Sequence, residues 1–115
     1  MSEFHCAHAE QVKKDLPDEI KTADLADFFK IFGDYTRIRL LFAIKEKELC
    51  VHDLGQILGM QQSAVSHQLK TLRHYKLVRV RRQGQKSYYA LNDHHVFEIL
   101  EVGLQHLAHQ EKRGK

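Results

Sequence analysis

The chain has no long hydrophobic run: its longest uninterrupted apolar stretch is Leu40 to Ile44, far short of the roughly 18 residues a bilayer-spanning helix needs. No membrane partner is expected. The opening MSEFHCAHAEQVKK contains no apolar h-region, so the expectation is no secretory signal and a cytoplasmic location. Cysteine is scarce, with only Cys6 and Cys50, which allow one bridge at most; in a reducing compartment free thiols or metal-bound thiolates are expected instead. Proline occurs once, at Pro17, and separates a polar arm, residues 1–17, from a main domain, residues 18–115. No internal repeat or low-complexity tract is present. Acidic residues are missing altogether between Asp53 and Asp93.

What fills that acid-free interval is Lys70, Arg73, Lys76, Arg79, Arg81, Arg82 and Lys86, a segment charge of +7 in a chain whose total is only +3. The rest of the molecule is therefore net acidic. Such segregation creates a local positive field suited to a polyanion, and nucleic acid is the natural candidate. With 115 residues, 43% hydrophobic and 29% charged, the composition is that of one globular domain, too short for an enzyme with a separate cofactor module. Nine histidines add little charge at neutral pH while supplying many metal ligands.

Hydrophobic periodicity divides the domain into elements. Asp18 can cap a helix whose apolar positions Ile20, Leu25, Phe28, Phe29 and Phe32 recur at three- and four-residue spacing, with Gly33 at its end. Asp34 can cap a second helix carrying Ile38, Leu41 and Phe42 on one face. Val51, Leu54, Ile57 and Leu58 mark a short third helix stopped by Gly59, and a turn leads to a fourth with Val65, Leu69 and Leu72 as its inward stripe. The period then changes to two. Val78 and Val80 alternate with Arg79 and Arg81, Gln83-Gly84-Gln85 makes a turn, and SYYAL resumes extended character, so 77–82 and 86–91 read as a β-hairpin. From Asp93 to about Gln110 the period is helical again, with Val96, Ile99, Leu100, Gly103, Leu104 and Leu107 on a broad apolar face.

The expected fold is thus mainly α with a β-hairpin wing: a winged helix-turn-helix, whose second motif helix enters the major groove while the wing grips flanking backbone. If Val65, Leu69 and Leu72 point inward, Gln62, Ser63, Ser66, His67 and Lys70 face outward, where hydroxyl, amide and imidazole groups suit base edges or phosphates. Arg73, Arg81, Arg82, Gln85 and Lys86 are assigned to phosphates, where positive charge adds sequence-independent affinity through counterion release. Seven cations alone could equally be a solvated surface. The helix-turn-helix register and the long absence of acids favour double-stranded DNA.

The segment ELCVHDLGQILGMQQSAVSHQLKTLRHYKLVRVRRQGQKSYYAL resembles the DNA-binding region of the ArsR/SmtB metal-sensing repressors, in the ELCV-D-L opening, the AVSHQL helix core and the RRQGQ wing. The likeness continues through DHH and HLAH. The resemblance implies a homodimeric winged-helix protein that binds an imperfect palindromic operator and releases it when metal binds, derepressing metal efflux or sequestration genes. A two-fold symmetric protein matches a palindromic site.

Asp93, His95, His106 and His109 offer one carboxylate and three imidazoles, with His106 and His109 on one helical face. His95 and His106 are separated by 11 residues, which along a helix is roughly 16 Å at 1.5 Å per residue, too far for both to touch one ion. Closure requires a second copy. If the last helix packs antiparallel against its copy, Asp93 and His95 of one subunit meet His106 and His109 of the other, making two tetrahedral sites suited to Zn(II), with Co(II) as substitute. Such histidines could instead be ordinary surface residues. The resemblance supports the metal reading, since D-x-H followed by H-x-x-H is the family's last-helix zinc site, and it leaves His94 outside the ligand set. It also implies that the second ring nitrogen of His106 reaches a backbone carbonyl near Lys76.

The family further uses a site joining the arm to the start of the helix-turn-helix. Cys50 and Asp53 occupy the matching positions, with His5, Cys6 and His8 on the arm as further donors. His52 stands where cadmium- and lead-sensing relatives carry a second cysteine, and Cys50 could simply be a small buried residue. An enzyme is not expected, because no nucleophile and base pair or phosphate-cradling glycine loop is present, and no small-molecule substrate is expected. The alternatives are a metal-independent winged-helix regulator, or a sensor of Cd, Pb or Co acting through the Cys50 region.

Overall fold

The computed structural model describes residues 3–114, with side chains through residue 110. The chain divides into two compact units, Met1–Lys30 and Ile31–Lys115. In the first unit, a short helix α1 (Ala9–Asp15) occupies the stretch expected to be a polar arm. It buries none of its residues, so no apolar stripe announces it in the sequence. Helix α2 (Glu19–Phe32) runs on past the end of this unit. It begins as expected at Asp18, whose Oδ1 accepts a hydrogen bond from the Lys21 amide at 2.8 Å, the N-cap arrangement that satisfies a free helix-end donor. The expected inward stripe of α2 differs from what is found: Ile20 is 75% exposed and Leu25 and Phe29 are also exposed, while Ile31 and Phe32 are buried. Periodicity reveals an apolar stripe without telling which surface covers it.

The second unit holds α3 (Tyr35–Ala43), β1 (Leu49–Cys50), α4 (Val51–Leu58), α5 (Gln62–His74), β2 (Val78–Gln83), β3 (Lys86–Leu91) and α6 (His94–Gly114). Asp34 caps α3 by accepting from the Arg37 amide at 3.0 Å. Gly33 does stand at the end of α2, but without the left-handed conformation; positive φ among the described residues belongs to Gly59, Gly84 and Lys76. The core is aliphatic, built from Leu40, Leu41 and Ile44 of the α3 region, Leu54 of α4, Val65, Leu69 and Leu72 of α5, and Leu77 at the entry to β2. Of the four residues in its expected stripe, α4 buries Leu54 and Leu58, while Val51 is half-buried and Ile57 exposed.

Two backbone details set the helix-turn-helix angle. Gly59 closes α4 in the left-handed region, which L side chains rarely adopt. Gly55 lies where the turn folds back on α4: its carbonyl accepts from the Met60 amide at 2.9 Å, and a Cβ at Gly55 would sit 2.8 Å from the Met60 carbonyl oxygen.

The wing is a three-stranded antiparallel sheet in the order β1-β3-β2, one strand more than the expected hairpin. Leu49–Cys50 is too short to show a period of two, and only its pairing with Tyr88 and Tyr89 makes it a strand. The hairpin turns at Gly84-Gln85, with Gly84 at φ 63, and its first strand lies one residue later than expected. Of its expected apolar face, helix α6 buries Val96 and Leu100 and leaves Gly103, Leu104 and Leu107 exposed, so half of that face lies outside the chain's own core. Among the described residues no helix is long and apolar enough to cross a membrane.

Candidate nucleic-acid interface and metal ligands

Burial of Val65, Leu69 and Leu72 fixes the rotation of α5, because residues three and four apart share a helix face. Gln62, Ser63, Ser66, His67, Lys70 and Arg73 are consequently all exposed. Gln68, between them, is instead tied inward, accepting from Arg37 Nε at 3.0 Å. Arg39 donates to the Leu58 carbonyl at 3.2 Å, satisfying an end of α4 that the helix itself leaves open. Both arginines of α3 thus brace the helix-turn-helix.

The start of α5 and the wing share one open recess of about 700 Å³, lined among others by Gln62, Ser66, Gln85 and Lys86. Four residues expected to touch DNA are therefore brought together. The same recess is lined by Cys50, His52, Asp53 and Tyr88. The amide groups opening α5 have no side-chain cap from Gln61, and free amides at a helix N-terminus favour an anion. A second, shallower recess on α5 is lined by His67, Lys70, Thr71, His74 and Tyr75. His74 and Tyr75 escaped the sequence reading, although His74 follows His67 at a two-turn spacing that places both on one face.

The wing cations are not equivalent. Arg82 makes no ion pair among the described residues, whereas Arg81 pairs with Glu48, a residue the sequence reading did not single out. The Glu48 carboxyl is held below its ordinary range, first by the hydrogen bond from Arg81, and the Arg81 guanidinium is correspondingly pushed up.

Asp93 and His95 meet at the head of α6. Asp93 Oδ1 accepts from the His95 amide at 2.8 Å and from the Val96 amide at 3.4 Å, and lies 3.4 Å from His95 Nδ1. His94 turns aside, pairing with Glu98 at 3.3 Å and stacking on Phe97. His106 and His109 are exposed further along the same helix. Among the described residues no group of three His, Cys, Asp or Glu side chains is gathered as a metal would require. Asp93 and His95 are adjacent, and His106 and His109 stand three residues apart further along the helix.

Asp53 is held below the ordinary carboxylate range, chiefly by hydrogen bonding from His52 and then from Cys50, with the Lys86 charge a smaller contribution; the His52 Nδ1 to Asp53 Oδ1 distance is 3.3 Å. Cys50 is half-buried and Cys6 exposed, both as free thiols. His5, Cys6 and His8 precede α1 in the first unit, and all three are exposed.

Residues 34–80 match the profile of the bacterial regulatory protein, arsR family. The chain is 40% identical over 103 residues to a transcriptional repressor SmtB homolog of Synechocystis sp., covering 87% of this chain and 78% of that protein. It is 33% identical over 110 residues to a cadmium resistance transcriptional regulatory protein CadC homolog of Staphylococcus aureus, covering 92% and 90%. The crystal structure of the AntR antimony-specific transcriptional repressor superposes with a TM-score of 0.76 at 34% identity, covering 85% of this chain and 89% of that one.

Proposed function

The chain belongs to the arsR family of bacterial regulatory proteins, and from that premise we propose that it is a metal-responsive transcriptional repressor whose homodimer binds a palindromic operator and lets it go when Zn(II) binds between subunits. The observation that carries the reading is the division of α6 into two donor pairs. Asp93 with His95 at one end and His106 with His109 at the other are each half of a tetrahedral set. An antiparallel copy of α6 would bring complementary halves together twice.

The donor set suits the ion. Three imidazoles and a carboxylate are the borderline ligands that zinc accepts in closed four-coordinate sites. Asp93 already uses Oδ1 for the helix cap, leaving Oδ2 as the free donor. When bound, zinc would supply a fixed cross-link between the subunits and no open position for chemistry.

On the DNA side, Gln62, Ser63, Ser66 and His67 present base-reading groups, Lys70, Arg73, Arg82 and Lys86 supply phosphate-binding charge, and Gln85 sits at the wing turn. A route between the two sites is available in the backbone. The Leu72 carbonyl in α5 accepts from the Leu77 amide, and the Leu77 carbonyl accepts from the Asn92 amide, each at 3.0 Å. Asn92 precedes the ligand Asp93. A change in the approach of two α6 helices can therefore reach the end of the recognition helix. A coupling of about 1–3 kcal/mol would lower operator affinity roughly 5–150-fold.

Operator binding with and without zinc tests the reading directly. The wild-type complex should dissociate when zinc is added, and Co(II) titration should give intense tetrahedral absorption saturating at about two ions per dimer. His106→Ala should leave metal-free DNA binding largely intact and abolish the response; a variant that still responds fully would reject the zinc site on α6. A cadmium- or antimony-type sensor using Cys50 and Asp53, with His5, Cys6 and His8 as further donors, is the second reading, favoured by the placement of Cys50, His52 and Asp53 around one recess. Its signature is release by a thiophilic metal that survives His106→Ala and disappears in Cys50→Ser.

A further inference from the structure

Glu48, Cys50, Tyr88, Arg81, Gln83 and Lys86 share one face of the wing sheet. Cys50 and Arg81 both register opposite Tyr88, directly opposed residues lie on the same face, and residues two apart along an extended strand return to it. On that face the Arg81 guanidinium is heavily engaged. Its Nε and Nη2 both donate to Glu48 Oε1, at 2.8 and 2.5 Å, and its Nη1 donates to Gln83 Oε1 at 2.9 Å. Its Cζ lies 4.8 Å from the Tyr88 ring centroid. Three of the five N–H donors a guanidinium carries are thus directed into the protein, and one aromatic face is in contact with it. Arg82, one residue on, belongs to the opposite face.

From this geometry we infer that Arg81 is a positioning residue of the wing rather than a phosphate contact: Glu48 holds its charge, and the DNA-binding charge of the wing comes from Arg82 and Lys86. The inference rests on the DNA-binding reading above. Glu48 immediately precedes β1, and β1 runs directly into α4, so the pair ties the outer strand β2 across β3 to the segment that feeds the helix-turn-helix. The β1–β3 pairing spans only two residues on each strand, and the side-chain clamp adds a further tie there. An exposed ion pair of this kind adds little to stability in water. Its consequence is electrostatic, because a phosphate approaching Arg81 must first displace a carboxylate of its own sign.

The test is the salt dependence of binding to a mixed-sequence DNA duplex, measured from roughly 50 to 300 mM salt, because each phosphate contact contributes about 0.9 to the slope of log affinity against log salt. Arg82→Gln should flatten the slope by about 0.9 per protomer. Arg81→Gln should leave the slope nearly unchanged while weakening binding a few-fold at every salt concentration, as a loosened wing would. Glu48→Gln should steepen it, since the released guanidinium becomes available to phosphate, an effect that a purely structural pair would not produce. Flattening by Arg81→Gln equal to that of Arg82→Gln, or an unchanged slope in Glu48→Gln, overturns the inference. Failure of the wild-type protein to bind duplex at any salt would defeat the DNA reading instead. The pair is then judged on the Arg81 Nε–H signal of the free protein by NMR: its hydrogen exchange should be slow in the wild type and faster in Glu48→Gln, and a rate that does not change rejects the clamp.

Discussion

Glu48 and Asp53 are carboxylates whose ionisation the fold favours, the first mainly through Arg81 and the second mainly through His52. A carboxyl depressed in the native state contributes stability that is present above its unfolded value and is lost as pH falls through the native one. Stability should therefore fall on acidification below the ordinary carboxylate range of about 4. Urea unfolding followed across that range should show a shallower acid loss in Glu48→Gln than in the wild type. A steric prediction belongs at this scale too. Gly55→Ala places a methyl group against the Met60 carbonyl, where backbone rather than a flexible side chain must give way. A loss of about 1–3 kcal/mol is expected by analogy with overpacked interiors, read as a lower urea midpoint with unchanged slope.

At the scale of elements, the turn after the recognition helix carries a side chain where glycine is usual. Lys76 has φ 61, and the Leu77 amide reaches back to the Leu72 carbonyl, the hydrogen bond of a left-handed helix end. A non-glycine residue there is strained by about 1–2 kcal/mol, partly offset by the greater freedom glycine has when unfolded. Lys76→Gly should accordingly raise stability by roughly 0.5–1 kcal/mol, and a calorimetric melting temperature checks it. Helices α2 to α6 and the hairpin were legible from period and caps, because each has enough turns or alternations for burial to leave a pattern. Helix α1 and strand β1 were not. Seven residues with none buried and two residues of strand leave no repeating signal, and both exist through backbone hydrogen bonds that sequence spacing does not display.

For the molecule as a whole, the proposed homodimer accounts for the apolar residues the single chain leaves exposed on α6. Leu104 and Leu107 remain in solvent while Val96 and Leu100 of the same helix are buried. Burying such side chains stabilises by about 1.5–3 kcal/mol each, enough for a few of them to hold an interface. Leu104→Glu combined with Leu107→Glu should yield a monomer by sedimentation and lose both the zinc response and tight operator binding, since each depends on two copies. A variant that stays dimeric would locate the interface elsewhere.

Sequence by itself determined the winged helix-turn-helix, through hydrophobic periods of 3.6 and 2 in the right order, and the basic surface, through the absence of acids from the helix-turn-helix to the head of α6. It also limited the metal ligands, because helical rise alone keeps His95 and His106 from meeting within one chain. What only the tertiary structure decided is where individual charges go. Glu48 is 33 residues from Arg81 and lies outside the acid-free interval, so a count along the chain treats Arg81 as a free cation. Strand β1 carries that carboxylate across the sheet to it, and an ion pair depends on distance in space, which a linear count of charges does not contain.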